Sequence, residues 1–351
     1  MSKEIVGLKI GASQLAAARV SQNGSAELLQ VAVGGLVPGV VQGGEVRDVE
    51  ALAEALKEFF REHKLPKKNV RVGVASNRIG VRTIEIAGIL DPRQVANAVR
   101  FRAQEVLPIP LEEAVLDYQV LSESVDAEGQ PAKKILLVVA YRDLIDALAD
   151  ACRRAGLRLV GIDLEAFALL RALTLPAGEG EERSALVAVT IGSERSTLAV
   201  SEGLTCEYTR VLDWGGASLT RSIARALGLE PEVAERIKRE LSLEGDALPE
   251  GLTQERARQA REALQLALQS FARELVSSLQ FYQSQPDSLG IRELVLAGGT
   301  AKLEGLAGVL QRFIGVAVSV GDPLAGVNAR KLCNASADPS FTVAIGLGMG
   351  R

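Results

Sequence analysis

Two stretches of this chain repeat one another in hydropathy and turn chemistry, and such a repeat constrains the fold more than any single motif does. The first is Gly7-Leu8-Lys9-Ile10-Gly11-Ala12-Ser13-Gln14-Leu15-Ala16-Ala17-Ala18. The second is Ala188-Val189-Thr190-Ile191-Gly192-Ser193-Glu194-Arg195-Ser196-Thr197-Leu198-Ala199. In each, an apolar strand runs into Ile-Gly, a small polar turn follows, and a second alternating strand departs, which reads as a β-hairpin. Ile10 and Ile191 mark equivalent places, so positions 9 and 190 also correspond. Glycine lets the main chain approach an anion closely, and a turn can point successive N–H donors one way.

A third element follows in the order Arg292-Glu293-Leu294-Val295-Leu296-Ala297-Gly298-Gly299-Thr300-Ala301. It reads as a strand ending in a Gly pair that opens a helix through Lys302-Leu303-Glu304-Gly305-Leu306. Such a backbone leaves room for a flat base and ribose beside a helix N-terminus that favours negative charge. A single Gly pair marks packing more often than a ligand, so the order of all three elements carries the argument.

Composition bounds the partners. The chain has 351 residues, enough for two or three domains, and its net charge of -4 with 4% aromatics excludes a basic, stacking surface for nucleic acid. Cys152, Cys206 and Cys333 are odd in number and far apart, as expected of reduced thiols in a cytoplasmic protein. The only histidine, His63, lies near the end of a charged helix and reads as a solvated residue, so no metal site is expected. No apolar run is long enough to span a bilayer, which predicts a cytoplasmic protein that reaches the membrane through a partner, without inserting directly.

Along the chain, three strands are expected from Ile5 to Val33, and then a helix capped by Asp48 with Leu52, Leu56, Phe59 and Phe60 at helical spacing. Two further strands follow, Val70 to Ala75 and Ile79 to Ile86. Asp91-Pro92 starts a helix, strands at Leu116 to Leu121 and Ile135 to Tyr141 flank a loop at Asp126-Ala127-Glu128-Gly129, and a helix from Arg142 stops at Gly156. The stretch Pro176 to Ser184 reads as a linker. A long helix further on carries an apolar stripe at Leu264, Leu268, Phe271, Leu275, Leu279 and Tyr282, for which core packing is the default.

The paired hairpins and the later Gly pair resemble the actin, heat-shock ATPase and sugar-kinase superfamily, in which the two turns hold the phosphates of ATP and the Gly pair the adenosine. The resemblance implies an α/β, actin-like, two-half fold with an inserted α+β subdomain. Its parts would be 1–85 and 160–175 for the first half, 86–159 for the insertion, 176–184 for a linker and 185–351 for the second half. It also implies ATP or ADP against Lys9, Gly11, Ala12, Ser13, Thr190, Gly192, Ser193, Gly298, Gly299 and Thr300.

The insertion narrows the family. Phe101-Arg102-Ala103-Gln104-Glu105-Val106-Leu107-Pro108-Ile109-Pro110-Leu111-Glu112-Glu113-Ala114-Val115-Leu116-Asp117-Tyr118-Gln119-Val120, with Ser278-Leu279-Gln280-Phe281-Tyr282-Gln283-Ser284-Gln285, is similar to PilM, the actin-like cytoplasmic component of type IV pilus assembly. That family implies a scaffold that captures the N-terminal cytoplasmic tail of the membrane protein PilN in a groove between the first subdomain and the insertion, alongside other pilus assembly proteins. FtsA, a relative, ends in a basic amphipathic helix, whereas this chain ends Gly346-Leu347-Gly348-Met349-Gly350-Arg351. The relative GspL carries a membrane span of its own.

Two departures bear on chemistry. The superfamily places Asp where this chain has Lys9 and Thr190, and those carboxylates position Mg²⁺, which wants hard oxygen ligands. Two readings of Lys9 stand: a point charge against phosphate that preserves binding without metal-assisted hydrolysis, or a side chain that snorkels to solvent. Glu165, in Ile162-Asp163-Leu164-Glu165-Ala166-Phe167-Ala168, matches the Glu that orients the attacking water in bacterial actin relatives, though a helical Glu is more often solvated, and Asp163 reads as a helix cap. Weak or absent hydrolysis is therefore expected. The alternative is an active ATPase or small-molecule kinase on the same fold.

Overall fold

The computed structural model describes residues 3–89, 91–106, 110–125, 129–174, 184–203, 205–245, 248–286, 288–329 and 337–350. Residues 176–183 of the expected linker, loop residues Asp126 to Glu128 and Cys333 lie outside them.

The first half begins with strands β1 (Lys3–Ile10), β2 (Gln14–Asn23) and β3 (Ser25–Gly35), then the short hairpin β4 (Val41–Gln42) and β5 (Glu45–Val46). Helix α1 (Val49–Glu62) starts at Asp48, whose carboxylate accepts from the Ala51 amide at 2.9 Å, and it buries Leu52, Leu56, Phe59 and Phe60. Its amphipathic spacing is what lets it lie on the sheet. Strand β6 (Lys68–Val74) joins β1 in parallel. The next elements are β7 (Ile79–Ala87), α2 (Pro92–Val106), β8 (Ala114–Val125) and β9 (Pro131–Tyr141). The chain returns to the first half through α3 (Arg142–Arg154), β10 (Arg158–Leu164) and α4 (Glu165–Leu173).

The second half contains β11 (Ala185–Ile191), β12 (Ser196–Glu202), β13 (Thr205–Leu212), α5 (Gly216–Leu227), α6 (Pro231–Glu240), α7 (Gln254–Gln283), β14 (Ile291–Ala297), α8 (Leu306–Ile314), β15 (Ala317–Val320) and α9 (Thr342–Met349). The sheet orders are β10-β6-β1-β2-β3 and β13-β12-β11-β14-β15, which are the same order read in opposite senses. Register repeats as well: Lys9 faces Ala16 across the first hairpin as Thr190 faces Thr197 across the second. The sequence repeat is thus a repeat of whole sheets.

Each sheet has two covered faces. In the first, Val6, Leu8, Leu15 and Ala17 pack under α1 and α3, while Ala18 and Val20 on the other face meet Ala344 and Ile345 of α9. In the second, Val187, Val189 and Ile191 pack against α5, α7 and α8, while Ala188, Ala199 and Ala297 meet α4 and α9. The stripe on α7 belongs to this core, with Phe271 stacked on Trp214 at 3.9 Å between centroids.

The insertion does not begin at 86 or end at 159. Strand β7, expected with the first half, pairs with β9 in a separate three-stranded sheet ordered β7-β9-β8, and α2 covers one face of it. Helix α3, expected within the insertion, buries Leu144, Leu148 and Cys152 in the core of the first half. Hydrogen bonding therefore bounds the insertion at Ile79 and Tyr141. Lys134 of β9 also pairs with Glu207 of β13 at 3.6 Å, touching the second half. The buried Cys152 and Cys206 are free thiols, and desolvation pushes each up to about 12.

Helices α4 and α9 cross between the two sheets at small residues. A Cβ on Gly346 would lie 1.8 Å from the Ala168 carbonyl oxygen, backbone that cannot yield. Replacing Gly346 with Ala should therefore destabilise the protein by about 1–3 kcal/mol or more. The check is urea unfolding, in which Gly346→Ala lowers the midpoint while Gly35→Ala, whose Cβ would meet nothing within 4 Å, leaves it near that of the wild type.

Candidate functional site

The two hairpin turns face each other across a cleft. Each closes in the same way, the Gly11 amide donating to the Gln14 carbonyl and the Gly192 amide to the Arg195 carbonyl, both at 2.9 Å. The second turn is anchored further: its Gly192 and Ser193 carbonyls accept from the Gly216 and Ala217 amides at the start of α5, each at 2.8 Å. The Thr300 hydroxyl also donates to the Gly192 carbonyl at 3.2 Å. Tying down the carbonyls in this way leaves a rigid turn at the mouth of a cavity of about 310 Å³. Lys9, Gly11, Ala12, Ser13, Gly192, Ser193, Gly299 and Thr300 all line it, so one cavity gathers eight of the ten residues read from sequence as nucleotide contacts.

Gly298 is not among the lining residues. It sits at φ 88°, and a Cβ there would lie 2.5 Å from the Ile191 carbonyl oxygen, so it is required by the contact with β11. Gly299 has nothing within 4 Å of its missing Cβ and opens onto the cavity. The helix expected directly after the pair is a single 3₁₀ turn over Gly299–Lys302. The α-helix starts only at Leu306, behind a second left-handed glycine, Gly305. A turn this short carries little of a helix dipole, so a base here would be recognised by shape.

Nine further residues line the cavity without having been expected there as contacts, among them Glu235, Lys238 and Arg239 of α6. Their spacing of three and four residues on a helix puts them on one face, and that is the signal that was available. Lys238 is buried and its Nζ donates to the Gly216 carbonyl at 3.1 Å, to Thr220 Oγ1 at 3.0 Å and to Glu235 Oε2 at 2.5 Å. Burial pushes the Glu235 carboxyl up, but hydrogen bonds from Lys238 and Thr220 outweigh it and hold the group below the ordinary value. Desolvation lowers the more deeply buried Lys238 ammonium despite its partner. These bonds pin α6 to the start of α5.

At the floor of the cleft Lys9 turns inward, not to solvent, with its Nζ 3.4 Å from Oε2 of Glu165. Glu165 is the first residue of α4 and is 6% exposed. Asp163 does not cap that helix through its side chain. It accepts from the Leu164 amide and pairs with Arg171 at 3.0 Å. Thr190, 2% exposed, completes the floor opposite Lys9. This set does not suit Mg²⁺: it offers one carboxylate, already committed to an ammonium, and no group of three or more His, Cys, Asp or Glu able to hold a metal occurs among the described residues.

A second concavity, about 530 Å³, lies between the insertion and the first half. One wall is the face of the insertion sheet that α2 leaves uncovered: Val115, Asp117 and Gln119 of β8 stand opposite Ala140, Val138 and Leu136 of β9. The other wall is β10, an edge strand paired only with β6, where Val160 is 43% exposed. Phe167 and Ile145 add apolar floor, and Arg71, Asp163 and Arg171 add charge. No helix among the described residues is long and apolar enough to cross a membrane.

Known proteins sharpen these observations. A family model described as type IV pilus assembly protein PilM matches residues 7–351. Cell division protein FtsA of Escherichia coli strain K12 is 27% identical over 388 aligned positions, covering 98% of this chain and 89% of that protein. FtsA of Bacillus subtilis strain 168 is 23% identical, covering 90% and 76%. Among solved structures, the PilM-PilN type IV pilus biogenesis complex superposes with a TM-score of 0.83 at 27% identity, covering 99% of this chain and 98% of that one. MreB5 of Spiroplasma citri bound to ADP superposes with a TM-score of 0.57 at 12% identity, covering 99% and 95%, a likeness of fold alone. The actin-like architecture, the insertion and a match across nearly the whole sequence agree: the chain belongs to the type IV pilus assembly PilM family.

Proposed function

We propose that this protein is a cytoplasmic scaffold of type IV pilus assembly that holds the N-terminal tail of a PilN-like inner-membrane protein in the groove between β10 and the insertion sheet. The observation that carries this reading is the groove itself. An open strand edge lies beside an apolar sheet face, in a chain whose family includes a protein solved together with PilN. An extended peptide would gain main-chain hydrogen bonds along β10 and set alternate side chains against Val138, Leu136 and Val160. Asp117, and the Arg71 and Arg171 cations with Arg171 paired to Asp163, add polar groups to the same groove. Recruitment by such a tail would place the protein at the inner face of the membrane, where other pilus assembly proteins can join it.

The cleft between the halves supports a nucleotide, ATP or ADP, with the phosphates at the turns, the base over Gly299 and the ribose side near Glu235, Lys238 and Arg239. The fold likeness to an ADP-bound relative agrees with this. Bound nucleotide would supply charge and shape that bridge the halves, and this chain's residues would orient it. Hydrolysis is expected to be very slow: Glu165, the carboxylate at the floor of the cleft, is held by Lys9 and is poorly placed to take a proton from water.

Three outcomes follow from these assignments. A synthetic peptide of the N-terminal tail of the PilN from the same genome should bind the purified protein in calorimetric titration, and Val160→Asp should weaken it by roughly tenfold or more, as expected when an apolar anchor is lost. Equal binding by the variant would remove β10 from the site. Gly299→Leu should abolish ADP binding without lowering the melting temperature, whereas Gly298→Ala should lower the melting temperature, since only the first points into open space. Finally, phosphate release from ATP should stay at background in the wild type. Turnover that disappears in Glu165→Gln would instead favour the enzyme reading.

A further inference from the structure

Behind the two turns lies a smaller cavity of about 70 Å³, and Lys9, Gly11, Ala12, Gly192 and Ser193 line both it and the larger cleft. At ~10–15 Å³ per water-sized probe, it has room for a group of a few heavy atoms. Its polar lining is unusual. Thr190 Oγ1 is buried with no hydrogen-bond partner, and so are Nε and Nη1 of Arg195. Only Nη2 of that guanidinium is held, 2.9 Å from Oδ1 of Asp213. Lys9 stands 3.4 Å from Glu165, an ion pair with room for a third group. Both carboxylates that line the cavity are engaged, Glu165 by Lys9 and Glu194 by the Gly43 amide at 2.9 Å.

Buried donors left without acceptors are costly, so a site that gathers several is shaped for a ligand that accepts. The unpartnered Arg195 N–H groups and the Thr190 hydroxyl suit an oxyanion, and with both lining carboxylates already engaged the cavity offers Mg²⁺ no uncommitted pair of oxygen ligands. Because the lining is shared with the larger cleft, the oxyanion is continuous with whatever the turns hold. We propose that this cavity takes the terminal phosphate of a nucleoside triphosphate without a divalent metal, with Lys9 and Arg195 supplying the charge that Mg²⁺ supplies where carboxylates hold it. This rests on the nucleotide reading of the cleft. It makes the protein a sensor of the third phosphate: ATP differs from ADP by filling a pocket in which Arg195, packed against Gly43 and Gly44 of the first half, joins the two halves.

The test is calorimetric titration of the full chain with ATP and with ADP, each in excess Mg²⁺ and in EDTA. In EDTA, ATP should bind at least as tightly as in Mg²⁺ and roughly tenfold more tightly than ADP, about what one strong charge-assisted interaction supplies. Arg195→Gln should bring ATP down to the affinity of ADP and leave ADP unchanged. The double variant Lys9→Met with Glu165→Gln, which removes the ion pair without stranding a charge, should do the same. An ATP affinity that falls tenfold or more in EDTA, or that never exceeds that of ADP, overturns the proposal while ADP binding keeps the nucleotide reading intact. Absence of binding by both nucleotides overturns both. The wild-type comparison decides the matter even if a variant fails to fold.

Discussion

The arrangement depends on the crossing of α4 and α9 between the two sheets. Their closest approach, Gly346 against the Ala168 backbone, brings two helices together where any side chain would hold them apart. Interiors are close-packed and do not stretch to accommodate a misplaced helix. The consequences spread from there. Gly348 lets α9 rest on Val20 of β2, and Gly7 lets it rest on β1, which sets the height of the strand that carries Lys9. Helix α4 begins at Glu165, so the same crossing sets the carboxylate that Lys9 meets.

As proposed, a cleft built this way would bind without the arrangement needed to cut. Catalysis of phosphoryl transfer relies on charge and positioning that stabilise the transition state more than the ground state. In the proposed reading Lys9 and Arg195 would stabilise a phosphate that is already charged, and the Lys9–Glu165 pair would withhold the carboxylate needed to activate water. In a scaffold such a site suits holding a conformation: Glu194 on the Gly43 amide, and Asp213 bound by both Arg195 and Asn77, already bridge the halves beside the turns.

The insertion solves a different problem. A three-stranded sheet with one helix buries one face and leaves the other open, and α2 covers only the face bearing Ile135, Leu137 and Val139. The uncovered face stands opposite the unpaired edge of β10. An open strand edge invites pairing with another chain, and in the proposed reading the insertion folded over it would narrow that invitation to a single extended peptide.

Much of this was legible in the sequence because it rests on local rules. The two Ile-Gly turns, the Asp48 cap, the alternation of β2 and the apolar stripe of α7 all report period and turn chemistry, and each element stands where that chemistry put it. Eight of the ten expected cleft residues line one cavity because backbone turns, unlike side chains, carry their geometry with them. What failed were inferences about neighbours far apart in sequence. Strand β7 reads like any strand and declares its sheet only by pairing with β9, while α3 declares its core only by packing on α1. Glu235, Lys238 and Arg239 sat in plain view at helical spacing, but nothing local says which cavity their face will line. Gly298 reads as a ligand position, and the fold adds a packing reason for it, since the carbonyl a side chain there would strike comes from β11, more than a hundred residues earlier. Lys9 could be read toward phosphate or toward solvent until α4 delivered a carboxylate beside it. The sequence by itself determined the elements, their doubling and the turns; which charges meet, and which glycine opens onto the cavity, was decided by tertiary packing, because those are properties of pairs that only the folded chain brings within a few ångströms.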